Sequence, residues 1–218
     1  MVEHWGLAKW GYREAAVSVV IAAAAAVIVG YLAPVYFIAV PVIIGLWAIS
    51  FFRDPARAVP EGEGVVVSPA DGKVVEITEV DEPDYIGGPA LKIGIFLSIF
   101  NVHINRSPCG GDVEMTAYRP GKFLNALKAD SSKYNESNAI GISGNGCRML
   151  VKQIAGAIAR RIECDCHEGD SLARGEKFGM IKFGSRTELY VPVDAGFALQ
   201  VKVGDKVRAG SSVLGAIR

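Results

Sequence analysis

Apolar and polar positions are unevenly spread along this chain. From Ala15 to Ala33 there are 19 residues without a charge; Pro34 interrupts, and Val35 to Phe52 adds 18 more before Arg53-Asp54-Pro55. About 20 apolar residues cross a hydrocarbon core, so each segment is just long enough. The link between them is little more than Ala33-Pro34. That predicts a tight α-helical membrane hairpin over residues 1–56, spanning the bilayer or dipping in and returning. Trp5, Trp10, Tyr12, Lys9 and Arg13 flank one end, and Arg53 and Arg57 the other. Aromatic and cationic flanks favour a membrane segment over a buried helical pair, and the positive-inside tendency puts both ends in the cytoplasm. The apolar stretch is too long, and continues too directly into a second one, for a cleaved signal peptide.

Beyond the linker Arg57–Gly64 the pattern becomes alternating. Val65–Val67, Lys73–Val80, Leu91–Ile99, Asp112–Arg119, Cys147–Ile158 (continuing through Ala159–Cys166) and the run from Lys182 to Pro192 read as strands. Ser68–Gly72 and Asp81–Pro89 have turn and loop composition. Lys122–Lys128 suits a short helix, and Asp130–Asn138 a polar loop. Gly169-Asp170 and Gly204-Asp205 each open a similar Gly-Asp turn. Short strands joined by such turns predict a mainly β body, sandwich or barrel, with one or two short helices over residues 57–218.

Charge changes this picture little. Lys plus Arg and Asp plus Glu both number 23, so bulk charge gives no argument for a nucleic-acid partner. The mean hydropathy of +0.29 owes its excess to the first fifth of the chain. Four cysteines are too few and too irregular for a secreted disulfide framework. Cys164-Asp165-Cys166-His167 lacks the spacing and second ligand pair of a zinc site. No metal is expected.

Three positions could carry chemistry. His103 follows the most apolar strand and lies in a polar turn, where an imidazole can exchange protons near neutrality. Asp71 sits in an Asp-Gly turn, which by itself needs no function. At Gly184–Ser185 a glycine opens a strand, and the serine hydroxyl lies next to its own preceding carbonyl. Given a base, that hydroxyl can attack Gly184 and turn the peptide into an ester. Taken one at a time, each position also fits a structural turn, a bulge or a buried histidine.

Their order and company decide more. SPADG at Ser68–Gly72, FNVHINRSP at Phe100–Pro108, QIAG at Gln153–Gly156 with Arg160 and Arg161, and RGEKFGMIKFGSRTELYVP from Arg174 together resemble the short, membrane-anchored form of phosphatidylserine decarboxylase. The resemblance covers roughly Phe51 to Arg218. It implies a pyruvoyl-dependent enzyme that removes carbon dioxide from a serine phospholipid, phosphatidylserine or, as in archaeal members, archaetidylserine. The pyruvoyl group would come from Ser185 after self-cleavage between 184 and 185, with the 34-residue C-terminal piece staying bound without a covalent link. The family reading makes Asp71 the orienter, His103 the acid/base and Ser185 the nucleophile. Longer family members carry a second histidine where this chain has Arg106. An arginine there suits fork-like binding of a carboxylate or phosphate, or a surface salt bridge. Phe183 is a candidate wall for the departing carboxylate. The implied partners are the lipid substrate, the bilayer and a second copy of the chain through the β body, with the catalytic unit on the cytoplasmic face of the cell membrane. The alternatives are a membrane-tethered, non-catalytic β module of lipoyl or biotinyl type, with Lys182 as the nearest lysine, and a pyruvoyl enzyme for a soluble amino acid.

Overall fold

A computed structural model of the chain describes residues 6–128, 130–157, 161–182 and 184–217. It divides into two compact units, Met1–Ala56 and Arg57–Arg218.

In the first unit, Gly6–Leu7 (β1) pairs antiparallel with Arg53–Asp54 (β2), and helices Tyr12–Leu32 (α1) and Ala39–Ser50 (α2) lie between them. With the preceding 3-10 turn, the first helix runs 24 residues from Lys9 to Leu32, about 36 Å at about 1.5 Å per residue, enough for a hydrocarbon core of about 30 Å. The second apolar segment is shorter than its uncharged run suggests. Pro34 caps a 3-10 turn over Val35–Ile38, and the α-helix proper has 12 residues. Pro41 lies in its first turn, where a missing N–H is tolerated. The two helices touch closely at Gly45, where a Cβ would stand 2.6 Å from that of Ala22. Their outer faces carry exposed Val20, Ile21, Ile43 and Leu46.

The second unit is built from strands Val65–Val67 (β3), Gly72–Glu82 (β4), Gly88–Leu97 (β5), Ile104–Arg106 (β6), Gly111–Arg119 (β7), Ser137–Gly144 (β8), Cys147–Ile154 (β9), Ile162–Cys164 (β10), Ser171–Leu172 (β11), Lys177–Ile181 (β12), Ser185–Pro192 (β13), Phe197–Leu199 (β14), Lys206–Val207 (β15) and Val213–Ile217 (β16). One short helix, Asp130–Tyr134 (α3), precedes β8. An eight-stranded sheet in the order β11-β7-β8-β9-β13-β5-β4-β15 packs with two three-stranded sheets, β10-β12-β6 and β14-β16-β3. The core holds Val74, Ile93, Ile95, Ile140, Leu189 and Leu214. The mainly β architecture read from the sequence is therefore present.

Three local expectations need correction. Lys122–Lys128 is not helical. Asn125 Oδ1 accepts the Leu127 N–H at 3.0 Å, while Asn135 accepts from the Leu124 N–H and donates to its carbonyl. Side chains that bond to backbone in this way compete with helix formation. The helix lies instead in the stretch read as a loop. Strand β8, sequence S-N-A-I-G-I-S-G, escaped the apolar pattern but pairs fully with β7 and β9.

Strand β13 lies inside the large sheet, pairing from Ser185↔Leu97 to Pro192↔Ala90 on one edge and from Arg186↔Ile154 to Tyr190↔Leu150 on the other. Ser185 to Val191 is buried on both faces. Leu189 and Val191 join the core, while Arg186, Glu188 and Tyr190 form a buried polar layer behind it. Glu188 Oε1 accepts from Arg186 Nε at 2.7 Å; its Oε2 accepts from Ser132 Oγ at 2.7 Å and Tyr190 Oη at 2.6 Å. Arg186 also reaches Glu76, which pairs with Lys92 at 2.7 Å. A Cβ at Gly94 would stand 2.4 Å from the guanidinium, so the crossing strand has to be bare there. Burial pushes the Glu76 pKa up, but Lys92 and Arg186 outweigh it and hold the group below its ordinary value.

Arg186→Leu leaves the fully buried Glu188 without its paired cation and should cost about 3–5 kcal/mol, read as a lower denaturation midpoint. Glu76 should add a pH dependence of known sign. A carboxyl depressed in the folded state stabilises above its unfolded value of 4.5, and that contribution is lost as pH falls through the lower folded value. Glu76→Gln should flatten the acid limb of the melting curve.

Candidate active site

The site grows from the end of β5. After Leu97 the chain turns through Ser98–Asn101, with Asn101 Oδ1 accepting from Ser98 N at 2.9 Å and Ser98 Oγ at 2.8 Å. The turn aims the Asn101 carbonyl at His103 Nδ1, 2.9 Å away. A carbonyl only accepts, so the ring proton belongs on Nδ1 and Nε2 carries a lone pair. His103 is fully buried, and the N–H of Gly184 meets Nε2 at 3.4 Å.

Gly184 adopts φ +63°, the left-handed region that favours glycine. Its carbonyl oxygen lies against Gly156, where a Cβ would stand 2.0 Å from it. The glycine that ends the QIAG motif therefore makes room for the carbonyl next to Ser185. The Ser185 side chain is fully buried and its Oγ has no hydrogen-bond partner among the described residues. A buried hydroxyl left unpaired costs about 1–3 kcal/mol, so it calls for a reason beyond stability.

Behind the serine runs a chain of side-chain amides that composition alone does not reveal. Asn105 Nδ2 donates to Thr187 Oγ1 at 3.0 Å, Gln153 Nε2 to Asn105 Oδ1 at 3.0 Å, and Asn138 Nδ2 to Gln153 Oε1 at 3.1 Å. Four strands are thereby fixed against one another two residues from Ser185. Asparagine and glutamine inside a strand would have been the only signal for it.

The remaining candidates are placed as follows. Asp71 accepts two hydrogen bonds from Arg57 Nη2, at 2.9 and 2.7 Å, and one from Ala209 N at 2.8 Å. This fixes the turn whose Pro69 carbonyl accepts from Arg106 N at 3.0 Å and Asn105 Nδ2 at 3.3 Å. The contact that fixes the imidazole at Nδ1 is the backbone carbonyl of Asn101. Arg106 is buried and its Nη1 donates to the Gly175 carbonyl at 2.9 Å. Phe183, Arg160 and His4 lie outside the described residues. His167 is exposed, with Nδ1 3.8 Å from Asp170. Lys182 is buried and paired with Glu163 at 3.2 Å, unlike a carrier lysine at an open hairpin. Cys109 is buried, and burial pushes its thiol up to about 12.

Comparison with known proteins points one way. A family model described as phosphatidylserine decarboxylase matches residues 44–215. A phosphatidylserine decarboxylase proenzyme of Desulfotalea psychrophila is 48% identical over 168 residues, covering 77% of this chain and 78% of its own. Its counterpart in Carboxydothermus hydrogenoformans is 50% identical over 173 residues, covering 79% and 81%. That of Rhodopirellula baltica is 54% identical over 166 residues, covering 75% and 68%.

Gly156→Ala is expected to drive the Gly184 carbonyl from its place. A displacement of about 1 Å costs about 100-fold in a reaction at the displaced atom. Any reaction at this carbonyl should slow by at least that factor, and a reaction that cuts the chain there is followed on denaturing gels.

Proposed function

The chain belongs to the phosphatidylserine decarboxylase family, and on that premise we propose that it is made as a proenzyme, cuts itself between Gly184 and Ser185, and then decarboxylates a serine phospholipid to the ethanolamine phospholipid. One observation carries this reading: a fully buried, unpartnered serine hydroxyl beside a left-handed glycine whose N–H already meets a histidine lone pair.

In the scission, Ser185 Oγ adds to the Gly184 carbonyl carbon as its proton passes to His103 Nε2. The C–N bond breaks, the nitrogen takes the proton, and an ester joins Gly184 to Oγ. Loss of the α-proton of residue 185 then expels the Gly184 carboxylate and leaves dehydroalanine. Water replaces the nitrogen, releasing ammonia and leaving a pyruvoyl group at 185. The buried Ser185 site fits that group: Asn105 holds Thr187, and Gly156 keeps room beside it. Once formed, the group supplies an electron sink for the pair left behind by departing carbon dioxide.

His103 then returns a proton to the substrate α-carbon, held in one tautomer by Asn101. Asp71, the family's orienter, acts through the turn it pins with Arg57, and Arg106 braces the neighbouring turns at Gly175 and Gly210. The 34 residues from 185 onward stay in place because β13, β15 and β16 are each hydrogen-bonded to strands of the larger piece.

Residues 1–56 serve as the anchor and 57–218 as the catalytic unit. Cations flanking the apolar segments put the latter on the cytoplasmic face. Both phosphatidylserine and archaetidylserine fall within the reading, because they share the reacting serine headgroup.

Mass spectrometry of purified protein should find a blocked fragment beginning at 185, and Ser185→Ala should give one uncut chain without activity. Intact protein that still releases carbon dioxide from the serine lipid would sink the proposal.

A further inference from the structure

Two loops close over the bond at Gly184, and both expose apolar side chains. On the first, the Ser98–Asn101 turn that holds His103, Phe100 is 68% exposed. On the second, residues 122–128, Ala126 points inward, its Cβ 3.3 Å from the Cβ position at Gly156 that touches the Gly184 carbonyl. Its neighbours point outward: Phe123 and Leu124 are each 37% exposed and Leu127 is 54% exposed.

This exposure is built in. Asn135 clamps Leu124 through its N–H at 2.8 Å and its carbonyl at 2.9 Å, and bonds the Ala155 carbonyl at 2.7 Å. Asn125 ties the Leu127 N–H, and Lys122 N donates to the Tyr134 carbonyl at 2.7 Å. The segment is thus held with its leucines facing out, although burying a leucine or phenylalanine is favourable.

Charge says what covers it. Lys122, Lys128 and Lys133 are exposed around the patch, two of them over the Tyr134 ring at 5.8 and 5.4 Å. Asp130 is the only acid between Lys122 and Tyr134. Apolar groups ringed by lysines match the boundary of an anionic bilayer, where lysines near the surface are drawn to lipid phosphates. A second copy of the chain placed symmetrically on the patch would set like charges against one another.

We infer that these two loops form a bilayer-docking rim, in which Phe100, Phe123, Leu124 and Leu127 enter the headgroup–acyl boundary of an anionic membrane while the three lysines meet lipid phosphates. A serine headgroup then passes from the membrane surface into the His103–Ser185 site without crossing water; this last step rests on the decarboxylase reading, and the docking itself does not.

The test uses the full chain in lipid nanodiscs containing phosphatidylglycerol brominated near the carbonyl end of its chains. Trp5, Trp10 and Trp47 are replaced by phenylalanine, Leu127→Trp supplies the probe, and an unchanged β-sheet circular dichroism spectrum and melting transition certify folding. The introduced indole should be blue-shifted and lose at least half its emission to bromine. Unquenched, water-like emission would overturn the docking, as would loss of the signal into a cross-linkable dimer. A second arm compares kcat/KM for bilayer phosphatidylserine with that for a water-soluble short-chain phosphatidylserine. In a doubly substituted chain, Leu124→Ser with Leu127→Ser, that ratio should fall at least tenfold, whereas a ratio within twofold of the parent would overturn the proposal. Quenching in the Leu127→Trp chain together with turnover of neither lipid by the unsubstituted chain would sustain the rim and sink the decarboxylase reading.

Discussion

The ladder of backbone hydrogen bonds along both edges of β13 governs what this site can do. It fixes Ser185 against Leu97 and everything after it against β5 and β9. The preceding glycine, in a left-handed conformation, stands outside the ladder. Main-chain pairing therefore fixes the Ser185 backbone, while among the described residues the Gly184 carbonyl packs against Gly156 and the Gly184 N–H meets His103 Nε2. Holding the hydroxyl and the neighbouring carbonyl in one place is what the proposed intramolecular reaction would require.

The layer behind β13 gives this arrangement its stiffness. Glu188 ties Arg186, Tyr190 and Ser132 together, and Lys152 Nζ donates to the Ser132 carbonyl at 2.8 Å. Ser132 lies in α3, whose Tyr134 carbonyl accepts from Lys122 N, so β13 and the segment beside the Gly184 carbonyl are linked through the same carboxylate. An apolar layer of equal volume would match it in stability. Directional bonds to one glutamate define the position of that segment more sharply than dispersion contacts do.

Much of this was written in local pattern. Alternation placed β5 and β13, and the order of the SPADG, FNVHINRSP and QIAG stretches singled out His103 and Ser185 before any geometry. What stayed hidden was carried by backbone atoms or by partners distant in sequence. The Nδ1 partner of His103 is a main-chain carbonyl, which any residue type at 101 could present. The role of Gly156 emerges only where β9 ends opposite Gly184. Strand β8 has two large apolar residues, Ile140 and Ile142, among small and polar ones, and its strand character comes from two flanking ladders. The short helix moved because Asn125 and Asn135 spend their side chains on nearby backbone, a competition no hydrophobic count registers.

The first and last strands of the catalytic unit, β3 and β16, pair with each other, and Ser68 N donates to Ser212 O while Gly210 N donates to Ser68 O. That seam supports the Asp71 turn, which in turn carries the segment following His103. The seam draws on residues 208–217, so a chain without them cannot close it. The surroundings of Ser185 thus depend on a segment well beyond it in the chain, and loss of that segment would loosen the turn beside His103 without touching either residue.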